Sequence, residues 1–172
     1  SKECDALVEV LVVREPKLKI AINDQMLLAA LVPSTAIAAC RLLETIKITD
    51  QIREHLSASS PALKALMSDV SCTSLIKTLC AKDATIHAAV TTPAMIAEVA
   101  TPEKAGIALD LIKALDIEIG DELAELLTVK DDKGKSKLVE LMTKSEGTAE
   151  GAMACAALVE RLCASSATIK AV

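Results

Sequence analysis

Four hexapeptides along the chain carry one hydrophobic signature: RLLETI at 41–46, SLIKTL at 74–79, DLIKAL at 110–115 and ALVERL at 157–162. Aligned, they give a column of Leu42, Leu75, Leu111 and Leu158, a second of Leu43, Ile76, Ile112 and Val159, and a third of Ile46, Leu79, Leu115 and Leu162. Three residues before the first column stand Ala39, Cys72, Ala108 and Cys155, all small. Apolar positions at i, i+3, i+4 and i+7 trace one stripe of an amphipathic α-helix. The small residue on that stripe lets a neighbouring helix come close. A longer copy sits 83 positions apart, where Cys80, Ala81, Ala84, Thr85 and Ile86 recur as Cys163, Ala164, Ala167, Thr168 and Ile169. The chain therefore writes the same long helix four times, each copy needing the same kind of neighbour.

The punctuation agrees with this reading. Ser60-Pro61, Thr92-Pro93 and Thr101-Pro102 are each a capping residue followed by proline, the usual opening of a helix. Gly120-Asp121, the stretch from Asp132 to Gly134, and Gly147 mark later breaks. Each unit then holds two shorter helices and one longer one. The units run over 17–47, 49–81, 83–115 and 120–163, with 165–172 starting a further unit or forming a terminal helix. The second unit is expected to contain helices over 49–57, 61–67 and 70–81, and the third over 83–90, 93–100 and 102–115. The fourth is expected over 120–127, 135–144 and 148–163. The first supplies 24–31 and 34–47, preceded by helical material from Lys2 to Ile22. The Leu column advances by 33, 36 and then 47 residues, the last step lengthened by the polar stretch TVKDDKGKSK at 128–137. Periods of this size with two or three helices belong to helical repeat arrays.

Composition supports an all-α class. The chain has 172 residues and no Phe, Tyr or Trp, so its core must be made of Leu, Ile, Val, Ala and Met. Sheets favour aromatic and β-branched residues, whereas Ala, Leu, Lys and Glu favour helix. Hydrophobic residues at 52% against 25% charged indicate a folded rather than a disordered chain. A net charge of −5 without aromatic side chains suits neither phosphate neutralisation nor base stacking, so no nucleic-acid partner is expected. The longest uncharged run, Gln25 to Cys40, is interrupted by Pro33 and is too short to span a bilayer. No charged segment followed by an apolar one opens the chain, so no secretory signal is expected. The six cysteines, Cys4, Cys40, Cys72, Cys80, Cys155 and Cys163, lie among Ala and Leu. They read as small buried hydrophobes in a reducing, cytoplasmic compartment.

With its four hexamers and three-helix rhythm, the chain from about Gln25 to Val172 resembles the armadillo and HEAT repeat family. The resemblance implies a right-handed α-solenoid of about four armadillo-like three-helix units. It also implies a non-catalytic scaffold or adaptor that binds a protein segment along the surface of its longest helices. The breaks SASSP and VTTP lack the Gly that armadillo repeats commonly carry there, which leaves the subfamily open. Family members that carry nuclear import signals use Trp and Asn ladders. This chain has no Trp and only Asn23, so that role is not expected. A compact helical bundle with a structural or assembly role is the alternative, against which the short, proline-started helices argue.

Residues that could carry chemistry are sparse. His55 and His87 read as helix-surface histidines, and a Cys/His nucleophilic pair with Cys72 or Cys80 is not expected. Cys72/Cys80 and Cys155/Cys163 are eight apart, outside zinc-ligand spacing. Asp121, Glu122 and Glu125 complement the positive end of a helix dipole rather than forming a catalytic pair. The scattered glycines form no phosphate loop. No enzyme activity, cofactor or metal is therefore expected. Met26, Met67, Met95, Met142 and Met153 read as core filler. The polar columns of the long helices supply the candidate partner-binding residues: Arg41, Glu44, Lys77, Asp110, Lys113, Glu160 and Arg161. Because ATIKAV at the end of the chain is apolar, self-association or continuation of the array through that end is a further expectation.

Overall fold

The computed structural model describes residues 16–132, 134–143, 149–166 and 169. The helix expected upstream of Pro16, and most of the further unit expected over 165–172, lie outside the described residues. Among the described residues there are eleven α-helices and no strand; an isolated bridge joins Lys130 to Ser136. The stretches read above as units serve to group the helices: the first contains α1 (Pro16–Ala30) and α2 (Ala36–Thr45). The second holds α3 (Asp50–His55), α4 (Pro61–Met67) and α5 (Thr73–Lys82). The third holds α6 (Ala84–Val90), α7 (Pro93–Val99) and α8 (Ala105–Ala114), and the fourth α9 (Asp121–Thr128), α10 (Lys137–Thr143) and α11 (Ala149–Ser165).

Three details differ from the sequence reading. Helix α1 runs unbroken through Asn23, because Asn and Asp lower helix propensity without removing a backbone donor as proline does. Single 3-10 turns at Pro33–Thr35, Val70–Cys72 and Pro102–Lys104 precede α2, α5 and α8. Each tighter turn makes a corner, so the α-helical part starts two or three residues later than the periodicity suggests. The polar stretch between α9 and α10 is a closed turn: the Gly134 N–H donates to the Asp131 carbonyl at 2.9 Å and the Asp131 N–H to the Lys135 carbonyl at 2.8 Å. Gly134 has φ +74°, where a side chain would be strained. Helix α10 consequently begins at Lys137.

The aligned columns form the core. Ala39, Cys72, Ala108 and Cys155 are buried, and so are Leu75, Leu111, Leu158, Leu43, Ile76, Ile112, Ile46, Leu79 and Leu162. Leu42, Leu115 and Val159 are half-buried and pack on that core. The long helices meet in chain order: α2 packs on α5, α5 on α8 and α8 on α11. The shorter helices pack beside them, α7 against α9 and α9 against α10.

Polar links also join successive units, and three of them are lysines that reach back to the end of a helix in the unit before. The Lys82 ammonium donates to the Leu43 carbonyl in the last turn of α2. Lys104 donates to the hydroxyl of Ser68, the C-cap of α4, at 3.0 Å. Lys137 donates to the Ala97 carbonyl in the last turn of α7 at 2.6 Å. The final carbonyls of a helix have no partner within it, and the negative end of its dipole favours a cation. Lys64 of α4 also pairs with Glu98 of α7 at 2.8 Å.

Asp83 is the most connected buried acid among the described residues. It caps α6 by accepting from the N–H groups of Thr85 at 2.9 Å and Ile86 at 3.1 Å. It also accepts from Arg53 Nε of α3 at 2.7 Å. Burial alone would raise this carboxyl; the guanidinium and the two backbone donors outweigh it and hold it below the usual carboxylate range. A depressed folded value means that the contribution is full above about pH 4 and is lost as pH falls through the folded value. Urea denaturation from pH 7 down to about pH 2 should therefore show wild type losing more stability than Asp83→Asn in the acid range. Parallel curves would remove Asp83 as the acid-sensitive link. Separately, Leu75→Ala and Leu111→Ala should each cost about 2–5 kcal/mol in denaturant titrations, as truncation of fully buried leucines does.

Candidate functional site

The four long helices turn a common face to solvent. Arg41 and Glu44 project from α2, Lys77 from α5, Asp110 and Lys113 from α8, and Glu160 and Arg161 from α11; all seven are exposed. Among the described residues none of the seven makes a side-chain hydrogen bond or ion pair. The fold places these candidates on helices that touch in sequence. Exposure by itself is shared with any solvated helix face.

A second feature of the same face was not foreseen. Five residues before each Leu column stand Ile37, Val70, Gly106 and Met153. Ile37 is 74% exposed, Val70 68% and Met153 73%, and Gly106 is exposed as well. An apolar stripe thus runs across the start of the long helices beside the charged columns. Extending the four-way alignment upstream by five positions would have found it. Met153 also corrects the reading of the methionines: Met67 and Met95 are buried, whereas Met26, Met142 and Met153 are at least half exposed. Met153 belongs to the side of α11 turned away from Cys155, Leu158 and Leu162, so it cannot fill the core.

Gly106 interrupts the stripe without a reason internal to the fold. A Cβ added there would meet Ala154 Cβ at 3.8 Å, ordinary contact, and its backbone is helical. Two open grooves flank the stripe. One of about 840 Å³ is lined by Pro33, Thr35, Ile37, Arg41, Leu42 and Ser71. The other, of about 430 Å³, lies between α10 and α11 and includes Met142, Cys155, Val159 and Glu160.

The histidines and cysteines weighed in the sequence are not joined to one another among the described residues. His55 is exposed and His87 half-buried, and neither side chain is bonded to a cysteine there. No group of three or more His, Cys, Asp or Glu is placed to hold a metal among the described residues. No single described helix is long and apolar enough to cross a membrane. No family model, curated protein or solved structure matches the chain.

The described cysteines are unbridged, and their environments differ. Burial pushes the Cys80 thiol up to about 11. Cys72 and Cys155 are raised as well, chiefly by burial, and the Cys155 thiol donates to the Pro102 carbonyl at 3.6 Å. Cys72 sits in the 3-10 turn before α5 rather than in the α-helix with Cys80, while Cys155 and Cys163 do share α11. Cys40 and Cys163 are only half-buried. The thiolate is the reactive form. Alkylation of the native protein, read by peptide mass spectrometry, should therefore label Cys40 and Cys163 well before Cys72, Cys80 and Cys155. Equal rates for Cys80 and Cys40 would contradict the packing of α5.

Proposed function

We propose that the chain is a right-handed, armadillo-like α-solenoid of about four units. In this reading it works as a non-catalytic scaffold in the cytoplasm, binding a protein segment along its long helices. The observation that carries the reading is the exposed column of Ile37, Val70 and Met153, at one repeat position, beside charged side chains that have no partner among the described residues. Exposed apolar side chains contribute little to the fold, and when they recur along one face they mark an interaction surface. The packing of α2 on α5, α5 on α8 and α8 on α11 supports a linear array rather than a bundle closed around one axis.

The first, second and fourth units would each offer one apolar contact, and all four would offer one or two charges. Neighbouring packed helices lie about 8–10 Å apart. A polyproline II segment rises about 3.1 Å per residue with three residues per turn, so it would place every third residue over successive helices. The seven charged residues comprise four basic and three acidic side chains, so the segment favoured is one of low net charge.

Chemical crosslinking and mass spectrometry would identify the partner, and titration of variants would test the surface. Ile37→Asp, Val70→Asp, Glu44→Lys, Lys77→Glu and Lys113→Glu should each leave stability within about 0.5 kcal/mol, as exposed substitutions usually do. The two apolar-to-Asp changes should weaken binding about tenfold or more, the size of a small hot spot. Added salt should weaken the wild-type complex, because exposed charges are screened. Normal binding by all five, with loss on changing residues 128–137, would move the surface elsewhere. Small-angle scattering of an elongated particle is expected; a compact one would favour the bundle.

A further inference from the structure

A separate cavity of about 420 Å³ lies between α1 and the link that joins α2 to α3, lined by Asn23, Asp24, Thr45, Ile46, Lys47, Ile48 and Thr49. None of the seven charged candidates of the long helices lines it. Asp24 is only 6% exposed. Its Oδ2 accepts from the Thr49 hydroxyl at 3.0 Å, but its Oδ1 is covered and has no hydrogen-bond partner. A buried carboxylate oxygen left without a donor is costly, and such a group ordinarily has a hydrogen-bond partner. Here the fold supplies one hydrogen bond and leaves the other oxygen covered and unpaired, in a residue that lines a cavity large enough for a side chain.

From this we infer that the cavity receives a primary ammonium on an aliphatic stem, the lysine side chain of a partner polypeptide, with Asp24 Oδ1 as its acceptor. The chemistry selects among cations. A guanidinium binds a carboxylate best through two parallel bonds, which need both oxygens, and Thr49 already holds Oδ2. A hard metal ion wants several oxygen ligands, and Asp24 is the only carboxylate in the lining. An ammonium needs one strong acceptor, with its remaining donors going to neutral oxygens such as those of Thr45 and Asn23. Ile46 and Ile48 give apolar wall for the methylene stem. Because Oδ1 is covered, the ammonium reaches it when residues 47–49, which belong to no helix, shift beside Asp24 while Ile46 stays in the core. Lys47, also in the lining, is exposed and makes no bond to Asp24.

The test is titration of isotopically labelled protein, followed through the amide signals of Asn23, Ile48 and Thr49. The probes are the Nα-acetyl N-methylamides of lysine, arginine and norleucine, with butylamine as a fourth. The lysine probe should shift these signals saturably and the norleucine probe should not. Asp24→Asn should weaken the lysine probe about tenfold or more, the effect of losing one hydrogen bond to a charged group. Thr49→Val frees Oδ2, so it should raise the affinity of the arginine probe relative to the lysine probe, a ratio that a mere packing role of Thr49 would not change. Tighter binding of the lysine probe than of butylamine upholds a polypeptide source; tighter binding of butylamine overturns that source in favour of a free amine. Equal binding of lysine and norleucine, unchanged binding to Asp24→Asn, or no saturable shift with any probe would overturn the inference.

Discussion

Everything in this fold depends on how closely its long helices can approach one another. A small side chain stands at the same place in each, Ala39, Cys72, Ala108 and Cys155, and all four are buried. A larger residue there would hold neighbouring helices apart and leave gaps that a core without Phe, Tyr or Trp has no bulky side chain to fill. With the small column in place, Leu75, Ile76, Leu79, Leu111 and Ile112 interdigitate and are fully covered. The thiols raised by burial at Cys72 and Cys155 follow from the same constraint, since cysteine serves there as a small apolar residue.

Burial between units is supplemented by polar contacts placed where helices end. Lys82, Lys104 and Lys137 each meet the C-terminal end of a helix one unit earlier, and Arg53 meets the cap of the helix that opens the next unit. Helix ends carry unpaired carbonyls or N–H groups, and an array of short helices has many of them. The chain satisfies several of these groups across unit boundaries, so the links that align the units also complete the helices.

Much of this architecture was legible in the sequence because a helical stripe has a period. The Leu columns and the proline-started short helices could be read without coordinates. The lysine links could not, because two of the three end on backbone carbonyls, which every residue possesses. The pairing of Asp24 with Thr49 spans 25 residues and leaves no local trace. At the surface the difficulty was of another kind. Ile37 and Met153 lie in helices rich in Ala and Leu, and Val70 in the 3-10 turn that leads into α5; an outward apolar residue there looks like an inward one until the register is fixed by structure. The seven charged candidates were easier to name, since charge on a helix already indicates the solvent side.

The direction of the lysine links has a consequence for how the protein is made. In each link the donor comes later in the chain than the acceptor: Lys82 after Leu43, Lys104 after Ser68, Lys137 after Ala97. A chain leaving the ribosome therefore exposes each helix end first and delivers its lysine about one unit afterwards. Each of these three links can close once its lysine has emerged, without waiting for sequence still to be translated, in keeping with folding from the N-terminal side in the order of synthesis.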